Sequence, residues 1–404
     1  MTRPAHFCLV LLLVWQLKVG CQWAFTNCPA QLGIPRRLAG RTVRQVRERR
    51  QASPRPRPKQ RGTGEDEHTP PRVITSRVRN AASAAEVLTV MQSEQENPEL
   101  NLISVSAAWC RLAQLQHSIN AEVADSLTFR MFVRLTQSLM AKPEARTVAN
   151  TLWATARLQV RAAPQLATLW TSLASAINAT VSDMREQHIA NSIWAVAKIA
   201  TSNHGSEALL KSMPLLASRV PTVISKMTSQ AVANVIWATG QLSDDPGHAA
   251  KSQCLREVLP IAVSHACTVL PVATMQEVAN SCWGLALCDY HDTTFLEAVA
   301  ARVSNEATGW SMSSAQLDLP SLLFAFARLK AEGHDDMLGV AAEKLTPMLF
   351  RIHDWYLCAT TWSYQQLDRG DNFLAFRQHL EEEVRRRQLS EEDVERSRLG
   401  PDAW

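Results

Sequence analysis

The chain has 404 residues, 46% of them hydrophobic and only 14 of them glycine. That composition suits a soluble protein with a buried core and favours helix over sheet. The net charge of +4 divides unevenly: residues 1–80 hold 16 Lys/Arg against 4 Asp/Glu, and the remainder holds 26 against 34, so the acidic body is not an indiscriminate polyanion binder.

At the N-terminus Arg3 precedes the apolar run "FCLVLLLVW" at 7–15, too short to span a bilayer but suited to a signal-peptide core. Gly20, Cys21 and Ala24 offer cleavage sites nearby, and Lys18 rules out a bacterial lipobox at "KVGC". Residues 1–24 are thus expected to be signal-peptide-like. The next stretch, 26–61, is rich in Arg and Pro with Glu48 as its one acidic residue. It cannot bury enough apolar area to fold, which makes 25–80 a disordered, transit-peptide-like leader. A signal core followed by a transit-like segment resembles the bipartite leaders that reach plastids through the secretory route. A plastid is therefore the expected destination, with the mitochondrial matrix as the alternative and a secretory fate behind both. No stable membrane association is expected once the leader is removed. The sequon Asn178-Ala-Thr180 matters only to a protein that stays in the lumen.

From residue 81 to 376 the sequence repeats. "VANTLWATARL" at 148, "IANSIWAVAKI" at 189, "VANVIWATGQL" at 232 and "VANSCWGLALC" at 278 place Asn three residues before Trp153, Trp194, Trp237 and Trp283. Phe324 and Trp362 continue the register as degenerate copies and Trp109 begins it, at spacings of 44, 41, 43, 46, 41 and 38 residues. Half of the 12 tryptophans fall on it. Each interval holds a second apolar stretch of helical spacing, such as "QLATLWTSLASAI" or "LREVLPIAVSHAC", so the expected fold is all-α: an α-solenoid, HEAT/armadillo-like, of about seven two-helix repeats. The tail from 377 to 404, with "EEEVRRR" inside it, reads as a charged C-terminal cap.

Around the aromatic helix, Ala or Gly flanks the ring four residues before and three after, and apolar groups cover most of the circumference. Such a helix packs on several sides. One narrow polar edge remains. Positions seven before, three before and four after the ring project at about 20°, 60° and 40°. They read Arg146, Asn150, Arg157; Gln187, Asn191, Lys198; Gln230, Asn234, Gln241; and Gln276, Asn280, Leu287, with Arg328 continuing the last row. Stacking would turn them into parallel rows across one surface, the inner one by expectation. Two readings of the asparagines stay open: contact with a partner, or a ladder hydrogen-bonded to the neighbouring repeat's backbone.

The phrase "SQAVANVIWATGQL" at 229–242 resembles the second helix of octotricopeptide-type repeats. It is also similar to the helical repeats of FAST-kinase-like and RAP-domain organelle proteins and of the kinetoplastid RNA-editing substrate-binding complex. The resemblance covers roughly 100–370 and implies an organellar RNA-binding solenoid acting in RNA stability, processing, splicing or translation. Its partner would be single-stranded organellar RNA, with protein partners in a ribonucleoprotein complex.

Nothing in the sequence assembles a catalytic or metal-binding constellation. There is no CxxC among the nine cysteines, no GxSxG, no HExxH and no phosphate-binding glycine loop; an enzyme, a cofactor and a metal are not expected. Two functions remain. In one, Arg157, Lys198 and Arg328 meet phosphates while the amides touch bases. In the other, the same surface binds a protein, as a scaffold of an organelle complex.

Overall fold

Residues 68–202, 207–305, 312–332 and 334–400 are described by a computed structural model of the chain. They form eighteen α-helices joined by short turns and 3-10 segments, with no strand among the described residues. In chain order these are α1 Pro71–Asn80, α2 Ala84–Ser93, α3 Leu102–Gln114, α4 Ala121–Asp125, α5 Leu127–Leu139, α6 Ala145–Thr180, α7 Glu186–Ala200, α8 Glu207–Leu210 and α9 Met213–Val223. They continue as α10 Ser229–Asp244, α11 Gln253–Val269, α12 Met275–Leu287, α13 Thr293–Asn305, α14 Met312–Arg328, α15 Asp335–Leu345, α16 Asp354–Leu367, α17 Leu374–Arg386 and α18 Glu391–Arg396.

Two layers run through the molecule. The aromatic helices α3, α6, α7, α10, α12, α14 and α16 pack each on the next in chain order, and companion helices pack beside them: α9 on α11, α11 on α13, α13 on α15. This is the all-α, solenoid-like stack that the repeat spacing predicts. The expected pair of helices over 145–180 keeps helical backbone without an intervening loop, with Pro164 inside it. Yet Trp170 Nε1 donates to Thr155 Oγ1 at 3.3 Å, fifteen positions away. Fifteen residues of straight helix would separate them by about 22 Å. The run therefore folds back on itself, and its two halves act as the two helices of a repeat.

The folded body begins before residue 81. Helix α1 buries Ile74 and Val78 against α3, Ser104 Oγ donates to the Pro71 carbonyl at 3.2 Å, and Arg111 donates twice to the Ala81 carbonyl, at 2.7 and 3.0 Å. The last ten residues assigned to the leader are thus helix. The expectations for 1–67 lie outside the described residues.

All seven register aromatics are buried. Trp109 stacks on Phe132 with centroids 4.7 Å apart, Trp194 meets Trp237 at 6.0 Å, and Phe324 bridges Trp283 at 4.9 Å and Trp362 at 5.8 Å. Each such pair adds about 1 kcal/mol beyond the area it buries. Between Trp237 and Trp283 the contact is made by backbones instead, where Gly240 and Gly284 let α10 and α12 touch directly.

Register is held by a second device. In four places a companion helix ends in a turn, and a basic side chain from the following repeat or the cap donates to a carbonyl of that turn. Arg219 Nη2 reaches Ser182 O at 3.2 Å, His265 Nε2 reaches Met227 O at 3.0 Å, and Arg302 Nη2 reaches Ala273 O at 2.5 Å. Arg387 Nη2 reaches Leu349 O at 2.7 Å. These orphan carbonyls at helix ends need donors, and the side chains supply them. Toward the C-terminus α17 and α18 pack on α16, with Phe376, Leu380, Val384 and Val394 buried.

One described stretch, Ala249–Val272, is long and apolar enough to cross a membrane by length and composition. Here it contains α11, packed on α9, α10 and α13.

Candidate nucleic-acid interface

The turns that end the companion helices also start the aromatic ones. Thr228 Oγ1 accepts from Ala231 N at 3.3 Å. Thr274 forms a capping box, its Oγ1 accepting from Glu277 N at 3.3 Å while Glu277 Oε2 accepts from Thr274 N at 2.8 Å. These caps fix where α10 and α12 begin. In all four clear copies the first polar row falls on the second residue of the helix: Arg146 in α6, Gln187 in α7, Gln230 in α10 and Gln276 in α12. Arg146 is exposed and the three glutamines are half-buried.

One turn further on lies the asparagine row. Asn150 is half-buried, whereas Asn191, Asn234 and Asn280 are only 2%, 8% and 7% exposed. The amides are thus set deeper than a surface row would be, because the neighbouring helices approach closely on both sides. No ladder forms: among the described residues none of the four side chains donates or accepts a hydrogen bond, and Asn191 Nδ2 is sealed without a partner. Leaving a buried amide unpaired costs about 1–3 kcal/mol, so a register role does not account for the row. Between α10 and α12 the rows converge on one small pocket, lined by Gln230, Asn234, Gln276 and Asn280 with Thr274 and Glu277. Adjacent repeats therefore do bring their first and second rows together.

The cation row departs from expectation. Lys198 is 6% exposed and inside the stack, since α7 is covered along almost its whole circumference. Arg157 lies over the Trp153 ring at 5.3 Å, and the Gln116 amide, turned to satisfy both its atoms, accepts from Arg157 Nη2 at 3.0 Å. Arg328 donates to Asp244 at 3.1 Å and stands 3.9 Å from Asp289. The three cations assigned to phosphates are committed to the protein itself. Gln241 is half-buried and Leu287 buried, so the row is not a continuous basic track.

Asp244 was legible and missed. It lies seven residues after Trp237, at about −20° on the same edge, so extending the stripe by one turn would have found the acid that pairs with Arg328. Gln116 and Glu277 carry no comparable signal; a lone glutamine beyond a helix end and a capping acid become neighbours of the stripe only once the repeats stack.

No protein-family model matches the chain, and no curated protein matches it. Burial pushes the Cys288 and Cys358 thiols up to about 11 and about 12, far from the thiolate a nucleophile needs. Among the described residues no group of three or more His, Cys, Asp or Glu is placed to hold a metal. What the arrangement offers is a repeated pair of amides, each able to donate and to accept.

Proposed function

We propose that the chain is a non-enzymatic organellar RNA-binding solenoid that acts in RNA stability, processing or translation. The observation that carries this reading is the pairing of Gln and Asn on successive repeats, with the asparagines unpartnered and, at Gln230, Asn234, Gln276 and Asn280, opening on a common pocket. An amide supplies a donor and an acceptor side by side, which is what the edge of an unpaired base requires. Stacked repeats meet an extended polymer, and a single strand is one whose bases are free to turn toward them.

The test is filter retention of single-stranded RNA pools by the purified full chain. Gln230→Ala with Gln276→Ala, and separately Asn234→Ala with Asn280→Ala, should each weaken retention at least tenfold while the melting temperature stays put, because no intramolecular hydrogen bond is lost. Arg146 is the exposed cation on the stripe, so affinity should fall only shallowly with added salt. A chain that retains no RNA even in low salt would leave the alternative, a protein-binding scaffold. The engagement of Arg157, Lys198 and Arg328 within the protein favours that second reading.

The destination we infer is the plastid by the secretory route, with the mitochondrial matrix as the alternative. Residues 1–67 fused to a fluorescent reporter should deliver it to an organelle; reporter secreted into the medium would overturn this.

A further inference from the structure

The pocket between α10 and α12 holds more than amides. Its cavity is about 20 Å³, room for a single water-sized group. Asn234 and Asn280 line it at 8% and 7% exposure, with no hydrogen bond of their own among the described residues, so both still need a partner. Glu277 lines it as well. Its Oε2 accepts from Thr274 N at 2.8 Å, and among the described residues no donor reaches Oε1. No Lys, Arg or His is among the lining residues. A carboxylate only accepts, so the cavity is built for one donor, and a phosphate or carbonyl oxygen placed there would be repelled.

The carboxylate is particular to this step of the stack. The residue six before the ring is Thr147, His188 and Ala231 in the other clear copies. Among the parts of a single strand, an exocyclic amino group has the required size and polarity. Cytosine and adenine each carry one beside a ring nitrogen that accepts, and a carboxylate pairs with the cytosine amino group directly. Gln230 and Gln276, half-buried on the same pocket, can donate from Nε2 to that ring nitrogen. Uracil has an oxygen where cytosine has the amino group. Guanine's two adjacent donors would need both carboxylate oxygens, and Thr274 N already holds one. A lysine ammonium would also enter, but its alkyl stem offers the glutamines nothing to bond.

We propose that the α10–α12 pocket selects cytosine or adenine against uracil, the Glu277 carboxylate taking the exocyclic amino group; this rests on the RNA reading above. The buried asparagines supply the second acceptor for that group, and the glutamines read the ring nitrogen beside it.

The test is retention by the full chain of decauridylate, the same oligonucleotide with one central cytidine, and the same with one central N4,N4-dimethylcytidine. Cytidine should tighten binding at least fivefold in the wild type. Dimethylation should erase the gain, because it removes both amino hydrogens and overfills the cavity. Glu277→Gln should erase it too. Glutamine keeps the capping box, so the melting temperature stays put, but with its oxygen turned to Thr274 N its Nε2 meets the amino group donor to donor. Equal retention of all three by the wild type, or a gain that survives dimethylation or Glu277→Gln, would overturn the selection and leave the RNA reading standing. Retention of none would remove both. A fall in melting temperature in Glu277→Gln, with equal loss for every oligonucleotide, would assign the carboxylate to the fold and overturn the proposal. Hexalysine bound by the wild type and not by Glu277→Gln, without a cytidine gain, would give the pocket to a protein's ammonium and overturn it as well.

Discussion

Gly284→Ala should destabilise the protein by about 3 kcal/mol, at the upper end of what an added methyl group does in a packed core. A Cβ built there would stand 2.5 Å from the Ile236 carbonyl oxygen and 2.9 Å from Trp237 Cα, both backbone atoms. Neither can turn away as a side chain would. To bring the contact out to 3.0 Å, α10 and α12 must part by ~0.5 Å or more, and well-packed helices lose dispersion contacts along their whole length when they do. Gly240→Ala should behave alike, its Cβ running into the Gly284 carbonyl oxygen. The control is Gly339→Ala in the middle of α15, where the nearest atom is the Phe373 ring at 3.6 Å. There the methyl group fits, and the gain in helix propensity should stabilise by about 0.5–1 kcal/mol. Urea titration of the three variants checks the set. A neutral Gly284→Ala would mean that the two helices do not touch as described.

That contact marks how far the sequence could be read. The small residues around the ring pointed to close packing, and the position three after it held Gly240 where other repeats hold Ala156, Ala197 and Ala286. A pattern of single positions indicates that room is needed but not which neighbour fills it. Gly284 continues the small-residue row one after the ring, with Ala154, Ala195, Ala238 and Ala325, and the neighbour that needs the room, Ile236, is known only once the helices pack. The layers followed from periodicity because each apolar stripe must be covered by something, and in a repeat the nearest cover is the next copy.

The site was legible in direction and not in depth. Angular position placed Gln187, Gln230 and Gln276 on one edge; Gln230 and Gln276 line one small pocket, and Gln187 is half-buried. It could not distinguish an edge facing solvent from an edge closed by the adjacent helix, which is why Lys198 and Asn191 are inside. Charge misled for a related reason. Arg328 reads as a free cation in one dimension, but its partners Asp244 and Asp289 come from α10 and from the turn after α12, two repeats and one repeat away. Of the basic residues that do organise the stack, Arg219 and Arg302 belong to the companion side, where the sequence reading looked only for apolar spacing, and Arg387 ends the run read as a charged cap.

Arg387→Ala should cost about 3 kcal/mol, the range for stripping one partner from a buried charge network. The side chain is 14% exposed and donates to Glu383 at 2.7 Å, Asp354 at 2.8 Å and the carbonyls of Leu349 and Ile352 at 2.7 and 2.6 Å. It ties the cap helix α17 to the turn that ends the last companion helix, so its removal takes a donor from each of two carbonyls and one of the two arginines from the nearly buried Glu383 carboxylate. Arg386→Ala removes a second arginine from the same carboxylate, but from a mostly exposed position, and should cost under about 1 kcal/mol. Acid should report the same network. Hydrogen bonds from Arg386 and then Arg387 hold the Glu383 carboxyl at about 2, below its ordinary 4.5. Because the folded value is the lower one, its stabilisation is complete above pH 4.5 and fades as pH falls toward 2. His353 adds an earlier step: its Nδ1 accepts from Trp355 N at 3.3 Å, and burial lowers its pKa from 6.5. That contribution is complete above pH 6.5 and is lost as pH falls through the depressed value. Wild type should therefore weaken in two stages on acidification, and the gap between it and Arg387→Ala should narrow in the second. Denaturant titrations at pH 7, 5 and 3 decide the matter: a gap that stays constant from pH 5 to pH 3 would show that the cap is not held through Glu383.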